Sequence, residues 1–145
     1  MTLYTLGYEG LRIEDFIARL QQSAIDLVVD VRALPLSRKP GFSKRALAAA
    51  LAAAGIAYAH RVSLGTPKPV RARYKRDQDV AVLRRDFGAY LAHQDHALVE
   101  LVELARDRNA CLVCFEADPA LCHRTLVAEA ARAFGAPAAT HLTAR

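Results

Sequence analysis

The chain lacks the marks of a secreted, membrane-spanning or disulfide-built protein. Its three cysteines are an odd count without secretory context, which argues against a disulfide framework. No apolar run approaches the roughly 18 residues needed to cross a bilayer, and the opening Met-Thr-Leu-Tyr-Thr-Leu-Gly is no basic-then-apolar leader. The expectation is a soluble, cytoplasmic protein with no membrane partner. There is no internal repeat and no low-complexity linker, and 145 residues suit a single domain, 1–145, with its own core. No dinucleotide glycine fingerprint follows a strand, which points away from redox chemistry. His60, His93, His96 and His141 show no ligand spacing, although His141 falls near the end of the last strand and so near a crevice edge. Cys111 and Cys114, three apart on a strand, point to opposite faces and cannot share an ion. No cofactor and no resident metal is expected; the one zinc set left open is Cys114, Cys122 and His123.

Acidic residues are scarce in the middle of the chain. Between Arg32 and Arg85 there are 13 Lys or Arg against only Asp77 and Asp79, so the net charge of +5 conceals a basic centre and acidic ends. Such asymmetry suits an anionic partner, a phosphate-bearing small molecule or a nucleic acid; a merely solvated basic face is the plainer alternative. Within this region, 61–78 has two prolines, a glycine, six basic residues and almost no apolar periodicity, and reads as a long basic loop of the kind that forms lids or binding segments.

Elsewhere the pattern alternates. Short apolar runs at Thr2–Leu6, Ile25–Val31, Ile56–Ala59, Ala110–Phe115 and Ala138–Leu142 have strand length. Between them lie helical spacings: Ile13, Phe16, Ile17 and Leu20; Lys44–Ala54 with Ser43 as cap and Gly55 as stop; about Asp79–Ala92; and about Asp95–Arg108. This predicts a single three-layer α/β domain, Rossmann-like, with a mainly parallel sheet of about five strands flanked by helices. A strand order of 3-2-1-4-5 would bring the turn Gly7–Gly10 against Cys114–Arg124 at the topological switch, with Arg32 beside them.

The chemistry concentrates in 110–135. A strand runs to Phe115, Asp118-Pro119 signals a helix start, Leu126, Val127, Ala130, Ala131 and Phe134 repeat at helical spacing, and Gly135 ends it. Glu116, Asp118, Cys122, His123 and Arg124 therefore crowd one turn beside a helix N-terminus, which attracts anions. Glu116, Cys122 and His123 are the candidate catalytic residues, as acid, base or nucleophile. Gly7, Arg32, Arg38 and Arg124 are the candidate anion-binding residues. Tyr74, among Arg71, Arg73, Lys75 and Arg76, is placed to stack on a base while its neighbours meet phosphates. For each there is a plainer account: Cys122 as a small packing residue, Glu116 as a brace for Arg124, His123 as an inward hydrogen-bonded ring, Arg32 and Arg38 as surface charges, Tyr74 as a pin for its loop.

Several of these motifs also resemble a known family, the bacterial and archaeal domain of unknown function 488. The likeness lies in Thr5-Leu6-Gly7-Tyr8-Glu9-Gly10, in Val29-Asp30-Val31-Arg32 followed by Pro35, Ser37 and Arg38, in Leu64-Gly65, and in Cys114-Phe-Glu116-Ala-Asp118-Pro119-Ala-Leu-Cys122-His123-Arg124. Thr66 stands where the family pattern leads one to expect a second glycine. The resemblance implies a small α/β domain and no established activity. A weaker likeness to rhodanese-like and cysteine-phosphatase domains would make Cys114 a nucleophile. Against that, Arg124 follows it by ten positions instead of five or six, and Glu116 and Asp118 intervene.

Three functions follow as expectations. The first is an enzyme-like domain, a hydrolase or transferase, acting on a nucleotide or other phosphate-bearing substrate. The second is a non-catalytic nucleic-acid-binding or adaptor domain using Arg32–Arg85, and the third is thiol chemistry of the rhodanese or phosphatase kind.

Overall fold

Residues 1–144 are described here from a computed structural model. Five parallel strands form one sheet: β1 (Thr2–Gly7), β2 (Leu27–Asp30), β3 (Ala57–His60), β4 (Asn109–Cys114) and β5 (Thr140–His141). Six α-helices connect them: α1 (Ile13–Gln22), α2 (Lys44–Ala53), α3 (Lys68–Asp77), α4 (Val80–Leu91), α5 (Asp95–Ala105) and α6 (His123–Ala131). The three-layer α/β architecture expected from the alternation is present. No helix among the described residues is long and apolar enough to cross a membrane.

The strand order is β3-β2-β4-β1-β5, so the expected 3-2-1-4-5 is corrected by exchanging β1 and β4. β4 takes the middle because its last five residues are all buried, and it pairs with β2 on one side and β1 on the other. The exchange changes where a crevice can open. It moves the switch point to β2 and β4: from β2 the chain departs outward to β3, from β4 the other way to β5, and these two strands are neighbours, so the crevice lies between their C-terminal ends.

Side chains alternate strictly between two cores. Val28, Cys111 and Val113 point toward α1 and α2, where Phe16, Leu20, Leu47 and Leu51 cover them. Leu27, Val29, Leu112 and Cys114 point the other way, against Phe87, Leu98, Leu101 and Val127 of α4, α5 and α6. Burying each such side chain contributes roughly 1.5–3 kcal/mol, which offsets the ordering of the connections. Cys111 and Cys114 accordingly lie on opposite faces of the sheet, as their spacing requires.

Three local expectations are corrected. The segment 61–78 is not a loop: a short 3-10 turn, Val62–Leu64, buries Leu64, and α3 follows. Its prolines sit at the helix start, where a missing N–H goes unused, and Gln78 ends it in the left-handed conformation at φ 54°. α3 escaped notice because none of its residues is buried; only Val70 packs on the core, so there was no apolar period to read. Ser43 does not cap α2 through its side chain; its hydroxyl donates to Ser37 O and accepts from Ser37 N, closing the 37–43 loop. Asp118 caps only the 3-10 turn Pro119–Leu121, accepting from Ala120 N, and α6 starts later, with Cys122 at the N-cap position.

Candidate functional site

A cleft of about 540 Å³ opens at the C-terminal ends of β2 and β4. Arg32, Cys114, Glu116 and His123 line its sheet side, and Arg71, Tyr74, Lys75 and Gln78 line the opposite wall. That wall is one face of α3, since the last four recur at helical spacing. Leu34, Leu36, Phe115 and Leu121, each between 41% and 73% exposed, make an apolar rim. Exposed apolar side chains gathered around a cleft with basic groups suit a ligand having both a hydrophobic or aromatic body and negative charge.

The turns after β1 and β4 meet, and closely. Tyr8 N donates to Cys114 O at 3.1 Å, Glu9 N to Phe115 O at 2.8 Å, and Ala117 N to Glu9 Oε1 at 3.0 Å. A Cβ on Gly7 would overlap the Glu116 carbonyl, so Gly7 is a contact surface for the β4 turn and leaves no space there for an anion. Gly65 plays the same part for the backbone of Ala33. Thr66, where a glycine was expected, is buried on the cleft wall and needs no left-handed backbone.

Arg124 is wholly buried and is directed inward. Its Nη1 donates to the Glu116 carbonyl and, at 3.2 Å, to Cys114 Sγ; its Nη2 donates to Ala117 O at 3.2 Å. Nε has no partner among the described residues, and no carboxylate forms an ion pair with the guanidinium. Burial presses its pKa down. The arginine thus holds the β4 turn from behind and does not line the cleft.

Arg32 is 6% exposed and equally committed. Nε and Nη2 form a two-bond fork on Asp30 at 2.9 and 2.7 Å, while Nη1 donates to Tyr8 Oη and Phe42 O. Burial disfavours its charge, but the bonds and charge of Asp30 outweigh that and raise its pKa. Tyr58 Oη donates to Asp30 Oδ2 at 2.6 Å, and His60 Nε2 donates to Arg32 O at 2.7 Å. Sequence reasoning missed this network; its signal was Asp30 itself, a carboxylate ending an otherwise apolar strand. Arg38 is exposed and lies outside the cleft lining.

Around the end of β4 the reactive groups do converge. Glu116 Oε2 lies 3.7 Å from Cys114 Sγ and forms no ion pair; burial raises its pKa. Cys114 and Cys122 meet with their sulfurs at disulfide distance across a Cα separation of 7.5 Å, and Cys111 stays free. The odd cysteine count had argued against any disulfide framework, and this single pair is what the fold brings together. His123 Nε2 lies 2.7 Å from Val31 O. A carbonyl only accepts, so Nε2 carries the proton and Nδ1 turns its lone pair toward Cys122 Sγ, 3.8 Å away. Burial pushes the His123 pKa down to about 4, keeping the ring neutral. Of the candidate catalytic residues, Glu116 and His123 face the cleft, while Cys122 lies 5% exposed behind them. Tyr74 faces the cleft from α3.

No curated protein and no solved structure matches the chain. The sequence profile described as domain of unknown function DUF488 matches residues 12–131, which takes in everything from the start of α1 to the end of α6, including the Asp30–Arg32 pair and the Cys114–Arg124 turn. The chain therefore belongs to the DUF488 family.

Proposed function

We propose that the cleft binds a nucleotide or another ligand that joins a phosphate to an apolar or aromatic body, and that the domain is an enzyme acting on it. The observation that carries this reading is the α3 wall: Arg71, Tyr74 and Lys75 share one helical face and stand across the cleft from Glu116 and His123. Two cations meet a phosphate, the ring between them stacks on a planar group, and Leu36 and Phe115 cover the rest. The Glu116 carboxylate, held at the wall without an ion pair, accepts or delivers a proton on the bound ligand. Arg71 is braced by donating to Thr66 O, which fixes its direction.

Calorimetric or thermal-shift titration with inorganic phosphate, nucleoside monophosphates and short oligonucleotides tests this. A ligand at a hundred times its Kd stabilises the native state by about 2.7 kcal/mol. Stabilisation by one mononucleotide, lost in Arg71→Ala and Lys75→Ala, supports the reading; no response to any mononucleotide refutes it. The rival is nucleic-acid binding. It is favoured by the run of exposed cations outside the cleft on the same helix, Lys68, Arg73 and Arg76. Stabilisation by oligonucleotides alone, with an affinity that falls as salt rises by about 0.9 in log-log slope per neutralised phosphate, would select it.

A further inference from the structure

We propose that Cys114, Cys122 and His123, with both cysteines reduced, form a binding site for a zinc-class divalent metal ion, with one coordination position left to the cleft. Their three ligand atoms lie within 4.8 Å of one another, and they come from the end of β4 and the first residues of α6, two elements already fixed by the core. Two sulfurs and an imidazole nitrogen are the donor set that zinc prefers over magnesium or calcium, at bond lengths of about 2.3 and 2.0–2.1 Å.

Three features of the surroundings fit a metal better than a covalent sulfur pair. The first is span. A Cα separation of 7.5 Å exceeds the roughly 4.4–6.8 Å that disulfides ordinarily bridge, whereas two thiolates on one ion stand farther apart and need no closer backbone. The second is charge. Arg124 is a fully buried cation with an orphaned Nε and no carboxylate partner, and a buried unpaired charge is costly. A metal-bound thiolate sulfur at Cys114, 3.2 Å from its Nη1, keeps partial negative charge and accepts that hydrogen bond more strongly than a disulfide sulfur does. The third is the histidine. Its Nε2–H is held by the Val31 carbonyl, the usual outer partner of a metal-bound imidazole, which leaves Nδ1 as the ligand atom facing Cys122. With three protein ligands the coordination is open, and because Cys114 and His123 line the cleft the fourth position belongs to water or to the ligand there.

The inference stands apart from the nucleotide reading, and its test does not use a nucleotide. The full chain, reduced with a phosphine and stripped with a chelator, is titrated with cobalt(II) chloride and then with zinc. The expected result is one cobalt per chain, a sulfur-to-cobalt charge-transfer band together with tetrahedral visible bands, and bleaching of both by one equivalent of zinc. His123→Gln and Cys122→Ser each weaken binding at least about tenfold, while Cys111→Ser, altered on the other face of the sheet, changes nothing. Circular dichroism establishes that each variant is folded. Absence of the charge-transfer band in the reduced wild-type protein, or a band unaffected in both His123→Gln and Cys122→Ser, overturns the proposal. Phosphate or nucleotide binding by the metal-free protein is measured separately, so either reading can fail without the other.

Discussion

Arg32 and Asp30 grip one another through two parallel N–H···O bonds while both are nearly removed from solvent, with side-chain exposures of 6% and 0%. They sit two residues apart across the end of β2, so the strand terminus and the segment leaving it are one hydrogen-bonded unit. Tyr8 from the β1 turn, Tyr58 and His60 from β3, and Phe42 from the loop before α2 all attach to it. The network fastens the turns around the cleft floor, and one face of Arg32 remains in the cleft lining.

Removing one member of that pair strands the other. Asp30→Ala leaves a buried guanidinium without its counter-charge and is expected to cost about 3–5 kcal/mol of stability by urea unfolding. The double variant Asp30→Leu with Arg32→Met costs clearly less than Asp30→Ala alone. Equal losses in the single and double variants would mean that packing, not charge, holds this corner.

Tyr58 gives the fold an alkaline limit. Burial, then its bond to Asp30, raises its pKa above the ordinary tyrosine value, so above about pH 10 the unfolded chain loses this proton while the folded chain keeps it. The unfolded state then binds fewer protons, and stability falls as pH rises through that range. Chemical unfolding at a series of alkaline pH values should show this decline, with a shallower slope in Tyr58→Phe. Burial raises the pKa of Tyr90 as well, so phenolate absorbance of the native protein should show late-titrating tyrosines, with one fewer in the same variant.

Gly7→Ala tests how tightly the two turns are joined. The added methyl meets the backbone carbonyl of Glu116, which cannot turn aside as a flexible side chain would. A loss of about 3 kcal/mol is expected, the upper end for overpacking, together with faster amide exchange at Tyr8 and Glu9. Gly10→Ala shows by contrast what backbone strain alone does: its φ is 80° and nothing lies within reach of an added methyl, so only the left-handed conformation is penalised, by about 1 kcal/mol.

How much of this was legible in the sequence depended on which side chains enter the core. The five strands and the helices now labelled α1, α2, α4, α5 and α6 carry apolar residues at strand or helix period, and their positions were readable to within a few residues. α3 buries nothing, and a basic segment with Pro67 and Pro69 looks like a loop for that reason. The order of β1 and β4 was not readable, because both are short apolar runs and only pairing distinguishes a central strand from its neighbour. At the site, the Cys114–Arg124 spacing predicts that Glu116, Cys122, His123 and Arg124 gather at one turn, and they do lie together there. Which groups face outward was hidden, since Arg124 and Cys122 differ from His123 only in the direction that the start of α6 gives them.

That direction separates two roles for Arg124. Its guanidinium reaches the carbonyls of Glu116 and Ala117 as well as Cys114 Sγ, so it shapes the turn that carries Glu116 without facing the cleft. Arg124→Lys keeps the charge but loses the planar fork, leaving a buried carbonyl unsatisfied, and should cost at least about 2 kcal/mol. At a temperature where the variant is still folded, a positioning role predicts that inorganic phosphate binds it within about threefold of wild type, whereas a direct anion contact predicts a loss of at least tenfold, since a hydrogen bond to a charged group contributes about 1.5–3 kcal/mol. We expect the first outcome for Arg124→Lys and the second for Lys75→Ala, because Lys75 lines the cleft and Arg124 stands behind it.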